Sequence, residues 1–223
     1  MNILGLETAT SVCSVGIVRE GGEETEKHLR DPRIHSERIL TLVDEVLRVA
    51  GIGFRNLDAI AVSRGPGSFT GLRIGYSTAK GLCYATGLPL VEVPTFDAIA
   101  TAASIAVPTA GNILVALDAK KGDFYSAVYE FRAGQMANAG EATVGPVAVS
   151  GSPGNPELII TDREDVLRPT AGAGADIRPV HDFCRGNVVA ALGAERFRAG
   201  FIADLASCEP AYLKDFVVKG TRT

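Results

Sequence analysis

Several features of metalloproteins and disulfide-rich proteins are missing from this 223-residue sequence, which also contains no tryptophan and only 6% aromatic residues. Its three histidines are His28, His35 and His181, and they form neither an HxxxH nor an HExxH pair. A transition-metal site on one helix needs such a pair. The four cysteines are widely spaced and include no CxxC pair, so we expect reduced, mostly buried thiols. A metal centre and a disulfide framework are therefore not expected.

An excess of basic charge is also missing, because 22 Lys and Arg residues face 26 Asp and Glu residues, for a net charge of −4. A protein that binds nucleic acid by itself normally presents a concentrated basic surface. The start of the chain does not resemble a signal peptide, and the longest apolar stretch, residues 98–110, is too short to span a bilayer. We expect a cytoplasmic protein without membrane contact, which reaches any RNA only through a partner.

Apolar runs of strand length alternate with helical patterns, which predicts an α/β fold. An apolar strand that ends in an acid occurs twice: residues 3–6 precede Glu7, and residues 113–117 precede Asp118. A turn and a second strand follow in both places, about a hundred residues apart, which favours a duplicated β-hairpin-led α/β unit. We therefore expect two lobes, residues 1–109 and a less regular 110–223, with the two acids facing one cleft.

Residues 36–50 form a predicted helix whose apolar residues cover an arc of about 180°, although a helix that buries one side needs about 100°. The surplus predicts a second buried face. A second predicted helix, residues 70–85, carries small residues every four positions at Gly71, Gly75 and Ala79. Each glycine inside a helix costs about 0.8–1.0 kcal/mol relative to alanine, so close packing is expected to compensate.

This packing has two interpretations, within the same domain or against the helix of a partner. On the second, the two helices lie side by side, and Gly75→Leu or Val46→Asp should abolish a complex while leaving the chain mostly folded. The expected interface consists of Ile39, Val43, Val46, Leu47, Gly71, Leu72, Gly75, Tyr76 and Ala79.

Residues 65–75 (GPGSFTGLRIG) join a predicted buried strand to the start of the second helix through a glycine-rich turn. Such a turn can bind phosphate through backbone N–H groups and the helix dipole. It is not a Walker A loop, because the GK[ST] ending is absent. The candidate nucleotide or phosphate contacts are Glu7, Gly65, Gly67, Ser68 and Asp118.

Residues 65–75 resemble the loop-helix motif of the bacterial TsaB (YeaZ) family, formerly grouped with glycoprotease-like proteins. Residues 3–8, 35–37 and 79–82 extend the resemblance, residues 117–125 resemble the second-lobe hairpin, and residues 210–214 resemble the tail. The first hundred or so residues match strongly and the rest matches in patches. Glu7 replaces the aspartate of the fold's nucleotide-binding members, and Lys214 replaces the usual arginine.

The resemblance implies a two-lobed actin/Hsp70-like (ASKHA) fold and a role in making threonylcarbamoyladenosine beside the anticodon of tRNAs that read codons starting with A. It implies a non-catalytic subunit that pairs with the catalytic TsaD through helices of the first lobe, is joined by the ATPase TsaE, and self-associates by the same surface. No cofactor of its own is expected, with ATP or ADP and magnesium at the partner boundary. The alternative is a small ASKHA nucleotide hydrolase or phosphotransferase that uses Glu7 and Asp118.

Overall fold

The computed structural model describes residues 1–19, 21–31, 35–132, 135–147, 149, 156–171 and 174–214. The first sheet contains β1 (Ile3–Glu7), β2 (Cys13–Val18), β3 (Glu24–Leu29), β4 (Ala59–Ser63) and β5 (Leu90–Val93). The second sheet contains β6 (Asn112–Asp118), β7 (Phe124–Arg132), β8 (Gln135–Ala139), β9 (Thr143–Gly145), β10 (Leu158–Thr161) and β11 (Asp176–Pro179). The α-helices are α1 (His35–Ala50), α2 (Phe69–Thr86), α3 (Thr95–Ala106), α4 (Glu164–Leu167) and α5 (Gly186–Arg198).

The two sheets repeat one topology. Their strand orders are β3-β2-β1-β4-β5 and β8-β7-β6-β10-β11. In each sheet the leading strand pairs antiparallel with the second strand of its hairpin and parallel with the strand on its other side, β4 or β10. This repetition confirms the prediction of two β-hairpin-led α/β units.

The sheets and helices form successive layers. Helices α1 and α2 pack side by side on the outer face of the first sheet, α5 and α3 lie between the two sheets, and α4 packs on the second sheet. Because α5 comes from the second half of the chain and packs on the first sheet, the boundary at residues 109–110 stays a prediction. None of the helices in the described ranges has the length and hydropathy needed to cross a membrane.

Helix α5 approaches the first hairpin through glycines on both sides of the contact. A Cβ atom on Gly16 would lie 2.1 Å from the backbone nitrogen of Asn187, and one on Gly5 would lie 2.2 Å from the carbonyl oxygen of Gly186. Real Cβ atoms do not come this close to backbone atoms, so these positions exclude larger residues. The backbone nitrogen of Gly186 also donates to the hydroxyl of Ser14 at 2.9 Å, which fixes the start of α5.

Helix α2 approaches the same hairpin from the other face. A Cβ atom on Gly71 would lie 2.0 Å from the carbonyl oxygen of Thr8, and one on Gly75 would lie 2.3 Å from the Thr8 hydroxyl. That hydroxyl donates to the carbonyl oxygen of Gly71 at 2.8 Å. The small residues of α2 therefore serve close packing inside the chain, the first of the two interpretations.

The expected partner interface is corrected by this packing. All nine of its residues are buried within the chain, because the apolar side of α1 and the small-residue side of α2 both cover the first sheet. Gly75→Leu and Val46→Asp would consequently destabilise the chain itself. Some apolar residues of α1 are nevertheless exposed to solvent, since Leu40 is 54% exposed and Val49 is 58% exposed. On α2, Tyr84 is 90% exposed.

Two alanine substitutions in α2 test the internal role of its glycines. We expect Gly71→Ala to lower the free energy of unfolding by about 1–3 kcal/mol, because its methyl group meets the Thr8 carbonyl. Gly81→Ala is the matched control, since nothing lies within 4 Å of its Cβ position. It should raise the free energy of unfolding by about 0.5–1 kcal/mol through helix propensity alone. Urea denaturation measures both, and similar values for the two variants would contradict the packing.

Candidate functional site

A cavity of about 670 Å³ lies where the ends of the two hairpin-led units meet the C-terminal tail. The turn after β1 and the loop before α2 form one side, and the turn after β6 forms the other. Its polar lining residues are Thr10, Ser11, Ser68, Thr70, Asp118, Lys120, Lys121, Tyr125, Asp162, Tyr212 and Lys214. We call this cavity the cleft.

Three of the five predicted nucleotide contacts line the cleft, namely Gly67, Ser68 and Asp118. Gly65 is buried outside it, where its nitrogen donates to the Thr95 hydroxyl at 3.0 Å. Gly65 has a φ of +111°, and a Cβ atom there would lie 2.6 Å from the carbonyl oxygen of Ala211. The prediction that Gly65 contacts a phosphate was therefore wrong, because this glycine allows the tail to pack closely.

Glu7 is also absent from the cleft lining, because its side chain is fully buried at the end of β1. One carboxylate oxygen accepts from the backbone nitrogen of Ala9 at 2.6 Å, and the other accepts a short hydrogen bond from the Ser63 hydroxyl. Burial raises the pKa of Glu7 to about 7, although both hydrogen bonds act to lower it. The expectation that two acids face one cleft is corrected to one strand-end acid, Asp118.

Two N–H groups at the start of α2 are bonded within the chain. The nitrogen of Ser68 donates to the carbonyl oxygen of Ala9 at 2.7 Å, and the Ser68 hydroxyl accepts from the nitrogen of Gly71 at 3.2 Å. Ser68 is thus the N-cap of α2. These two N–H groups are not available to a phosphate, so the loop functions mainly as a helix start.

Asp118 is held by basic residues of the second unit. Its carboxylate accepts from the ammonium of Lys120 at 2.7 Å and from that residue's backbone nitrogen at 2.8 Å, and Arg163 lies 3.8 Å away. Partial burial alone would raise the pKa of Asp118, but the hydrogen bonds from Lys120 and the two positive charges lower it below its usual value. Asp118 is therefore an ionised, paired carboxylate.

The C-terminal tail completes the cleft. The ammonium of Lys214 donates to the carbonyl oxygens of Ala119 and Lys120 at 2.9 and 3.1 Å and to the Asp123 carboxylate at 2.8 Å. These acceptors all belong to the turn after β6, which contains Lys120 and Lys121 at φ values of 65° and 61°, in the left-handed region. Lys214, noted only as a departure from the family pattern, thus fixes the tail to the second unit.

The first unit holds the tail as well. The backbone nitrogen of Ala211 donates to the carbonyl oxygen of Arg64 at 2.7 Å. The ring centroids of Tyr212 and Phe69 lie 5.0 Å apart. Sequence reasoning did not identify Lys120, Asp162 or these tail contacts. Asp162 had a weaker signal, because it follows the apolar residues 158–160 with Thr161 in between, whereas Asp118 follows its apolar run directly.

The cleft has few charges that are not already paired. Three lysines line it, but Lys120 pairs with Asp118 and Lys214 pairs with Asp123, so Lys121 is the lining lysine without an ion pair among the described residues. A magnesium ion would find only Asp118 and Asp162, because Glu7 is sequestered. Among the described residues, no group of three or more Asp, Glu, His or Cys side chains is arranged to hold a metal ion.

The burial of Glu7 predicts a pH-dependent stability. The pKa of Glu7 is about 7 in the folded chain and 4.5 in the unfolded chain, so protonated Glu7 stabilises the folded chain in full below pH 4.5. As the pH rises through 7, this contribution is lost and the free energy of unfolding falls by about 3 kcal/mol in total. We expect Glu7→Gln to remove this loss in urea denaturation between pH 4.5 and 8. The exposed Glu37→Gln serves as control and should keep the original pH profile; an unchanged profile in Glu7→Gln would contradict the assignment.

The comparisons with known proteins agree on one family. The family model described as "TsaD: tRNA N6-adenosine threonylcarbamoyltransferase" matches residues 31–215. The TsaB proteins of Haemophilus influenzae and Escherichia coli, each described as a tRNA threonylcarbamoyladenosine biosynthesis protein, are 38% and 39% identical over 125 and 130 residues. These matches cover 56% and 58% of this chain and 52% and 55% of those proteins, so the chain spans about half the length of these relatives.

A solved structure extends the similarity to the whole fold. YeaZ from Pseudomonas aeruginosa superposes with a TM-score of 0.82 at 26% identity, covering 95% of this chain and 99% of that one. Together with the repeated sheet topology, this match confirms an α/β fold of two β-hairpin-led units, shared with YeaZ. The chain therefore belongs to the family of the matched model, and the resemblance to TsaB (YeaZ) proteins inferred from residues 65–75 is confirmed.

Proposed function

We propose that this chain acts in the biosynthesis of threonylcarbamoyladenosine in tRNA, as an accessory subunit that pairs with a TsaD-type transferase. The similarity to TsaB proteins supports the pathway. The observation that carries the accessory role is the burial of Glu7, which leaves the cleft without the acid that the fold's nucleotide-binding members place there. The chain then contributes a surface to the complex, and the partner contributes the chemistry.

The outer face of α1 and α2 supplies the pairing surface. Its apolar members are Leu40 and Tyr84, which are 54% and 90% exposed. Large apolar side chains on a neighbouring pair of helices are typical of a surface that another protein covers. The buried small residues beneath hold the two helices in place, so their part in pairing is indirect.

A shallow groove between the two helices belongs to the same face. Its volume is about 430 Å³, and Ser36 of α1 faces residues of α2 across it. Leu40 lies one helical turn beyond Ser36 on the same side of α1. The α2 residues of the groove are Phe69, Thr70, Arg73, Ile74, Ser77 and Thr78. A partner helix could dock here with apolar contacts flanked by polar ones.

The remaining features of the proposal follow from the resemblance. TsaE joins the complex, tRNA is contacted only within it, and ATP or ADP with magnesium binds at the partner boundary. In the absence of the transferase, the same face supports a homodimer. The site of action is the cytoplasm. The net charge of −4 supports an indirect contact with tRNA.

Charge substitutions on the outer face test the pairing surface. We expect Leu40→Asp combined with Tyr84→Asp to weaken co-purification with a TsaD-type transferase by at least about tenfold, because a carboxylate cannot be buried unpaired at an apolar contact. The thermal midpoint of the isolated chain should barely change, since both side chains are exposed.

Ile105→Asp is the matched control, because Ile105 is 68% exposed on α3, away from this face. It should co-purify as the unmodified chain does. If the double variant binds the transferase normally, or if Ile105→Asp alone disrupts binding, the pairing surface lies elsewhere.

The alternative function is that of a small nucleotide hydrolase or phosphotransferase. The observation that supports this function is that Ser68, Asp118 and three lysines line one cavity. Calorimetric titration of the isolated chain with ATP and magnesium tests it directly. Tight binding, with turnover abolished by Asp118→Asn, would establish this function, whereas the accessory role predicts no turnover.

A further inference from the structure

A second cavity, of about 540 Å³, lies away from the cleft, between the inner helices α3 and α5 and the β7–β8 pair. Its charged lining residues are Asp97 of α3 and Glu195 and Arg196 of α5. Phe131, Met136 and Leu192 form its apolar lining. The volume falls in the range of small-molecule sites, which combine apolar walls with a few polar groups. We call it the α3–α5 cavity.

Arg196 has no hydrogen-bond acceptor among the described residues. Its Nε atom is buried without a partner, and its guanidinium lies 5.0 Å over the ring of Phe201. A guanidinium carries five N–H donors, and buried donors are nearly always paired in folded proteins. Arg196 as a whole is half-buried, and its terminal nitrogens donate to no acceptor among the described residues, which leaves them for a ligand in the cavity.

Asp97 forms no ion pair with Arg196 within the described chain. One of its oxygens accepts from the hydroxyl of Tyr129 at 2.8 Å, and within the described chain neither Asp97 nor Glu195 forms an ion pair with Arg196. Burial raises the pKa of Asp97, against the lowering effects of the Tyr129 hydrogen bond and of the charges of Arg196 and Arg64. The second oxygen of Asp97 is left for another donor.

We infer that the α3–α5 cavity binds a small α-amino acid with an apolar side chain. Its carboxylate would pair with the terminal nitrogens of Arg196, and its ammonium would lie by Asp97 and Glu195. Its side chain would pack on Phe131, Met136 and Leu192. A monoanion would leave the half-buried Asp97 without a cation, and a simple cation would leave Arg196 without an anion, so a zwitterion fits the charges best. The inference does not depend on the proposed pairing.

Isothermal titration of the full chain with L-alanine, L-valine, L-leucine and L-methionine tests the site. We expect saturable binding of at least one of them with a dissociation constant below about 10 mM. For L-leucine, 4-methylpentanoate lacks the ammonium and 3-methylbutylamine lacks the carboxylate. Each analogue should bind at least about tenfold more weakly than L-leucine, because one charged hydrogen-bonding group is lost.

Variants of Arg196 locate the binding. Arg196→Met should weaken it at least about tenfold, and Arg196→Lys should weaken it less, since the charge remains but the planar pair of donors is lost. Arg198→Met is the matched control, being exposed on the same helix, and Asp118→Asn is the control in the cleft. Both controls should bind as the unmodified chain does, and the thermal midpoint of each variant shows whether it folds.

The inference is overturned if none of the four amino acids binds below about 10 mM. It is also overturned if folded Arg196→Met and Arg196→Lys both bind with unchanged affinity, or if Asp118→Asn abolishes binding, which would place the ligand in the cleft. Should Arg196→Met not fold, the lysine variant and the two leucine analogues decide the outcome.

Discussion

Helices α2 and α5 hold the first β-hairpin between them by direct contact with its backbone, and the rest of the molecule depends on this contact. On one face Gly71 meets the carbonyl oxygen of Thr8, and on the other Gly186 meets the backbone around Gly16. No side chain fits in either contact. The hairpin turn, which forms one wall of the cleft, is consequently fixed from both sides, and Glu7 beside it is closed off from solvent.

This constraint explains why the strongest sequence motif and the proposed pairing surface are different parts of the same helices. The glycine spacing in residues 65–75 serves contact with Thr8, and it is fully used within the chain. The proposed partner would therefore meet the opposite side of α1 and α2, where Leu40 and Tyr84 are exposed. The motif thus fixes the position of α2, and the exposed residues lie on the other side of that helix.

Much of the fold follows from local patterns. The helical spacing of residues 36–50, the glycine-rich turn before α2 and the two acid-ending strands are each visible in the sequence, and each appears in the structure. These features are predictable because helix and strand periodicity depends on neighbouring residues. Whether Gly71 packs inside the chain or against a partner cannot be predicted in this way, because the answer depends on Thr8, sixty-three positions away.

The candidate site was less predictable for the same reason. Asp118 was found by its place at a strand end, but whether Glu7 faced the cleft or the core depends on Ser63 from another strand. Lys214 bonds to the turn after β6, whose residues are ninety-one or more positions away in the sequence. No local sequence pattern predicts this contact. The charges of the α3–α5 cavity come from separate helices and show no spacing that a sequence could reveal.

The central claim is that this chain supports tRNA modification through its outer helical face and without chemistry in its own cleft. The most direct measurement is the rate of tRNA threonylcarbamoylation by a TsaD-type transferase, with and without this chain. The account predicts that the rate depends on the chain, that Asp118→Asn preserves it, and that Leu40→Asp with Tyr84→Asp reduces it at least about tenfold. Loss of the rate with Asp118→Asn and its preservation in the double variant would contradict the account.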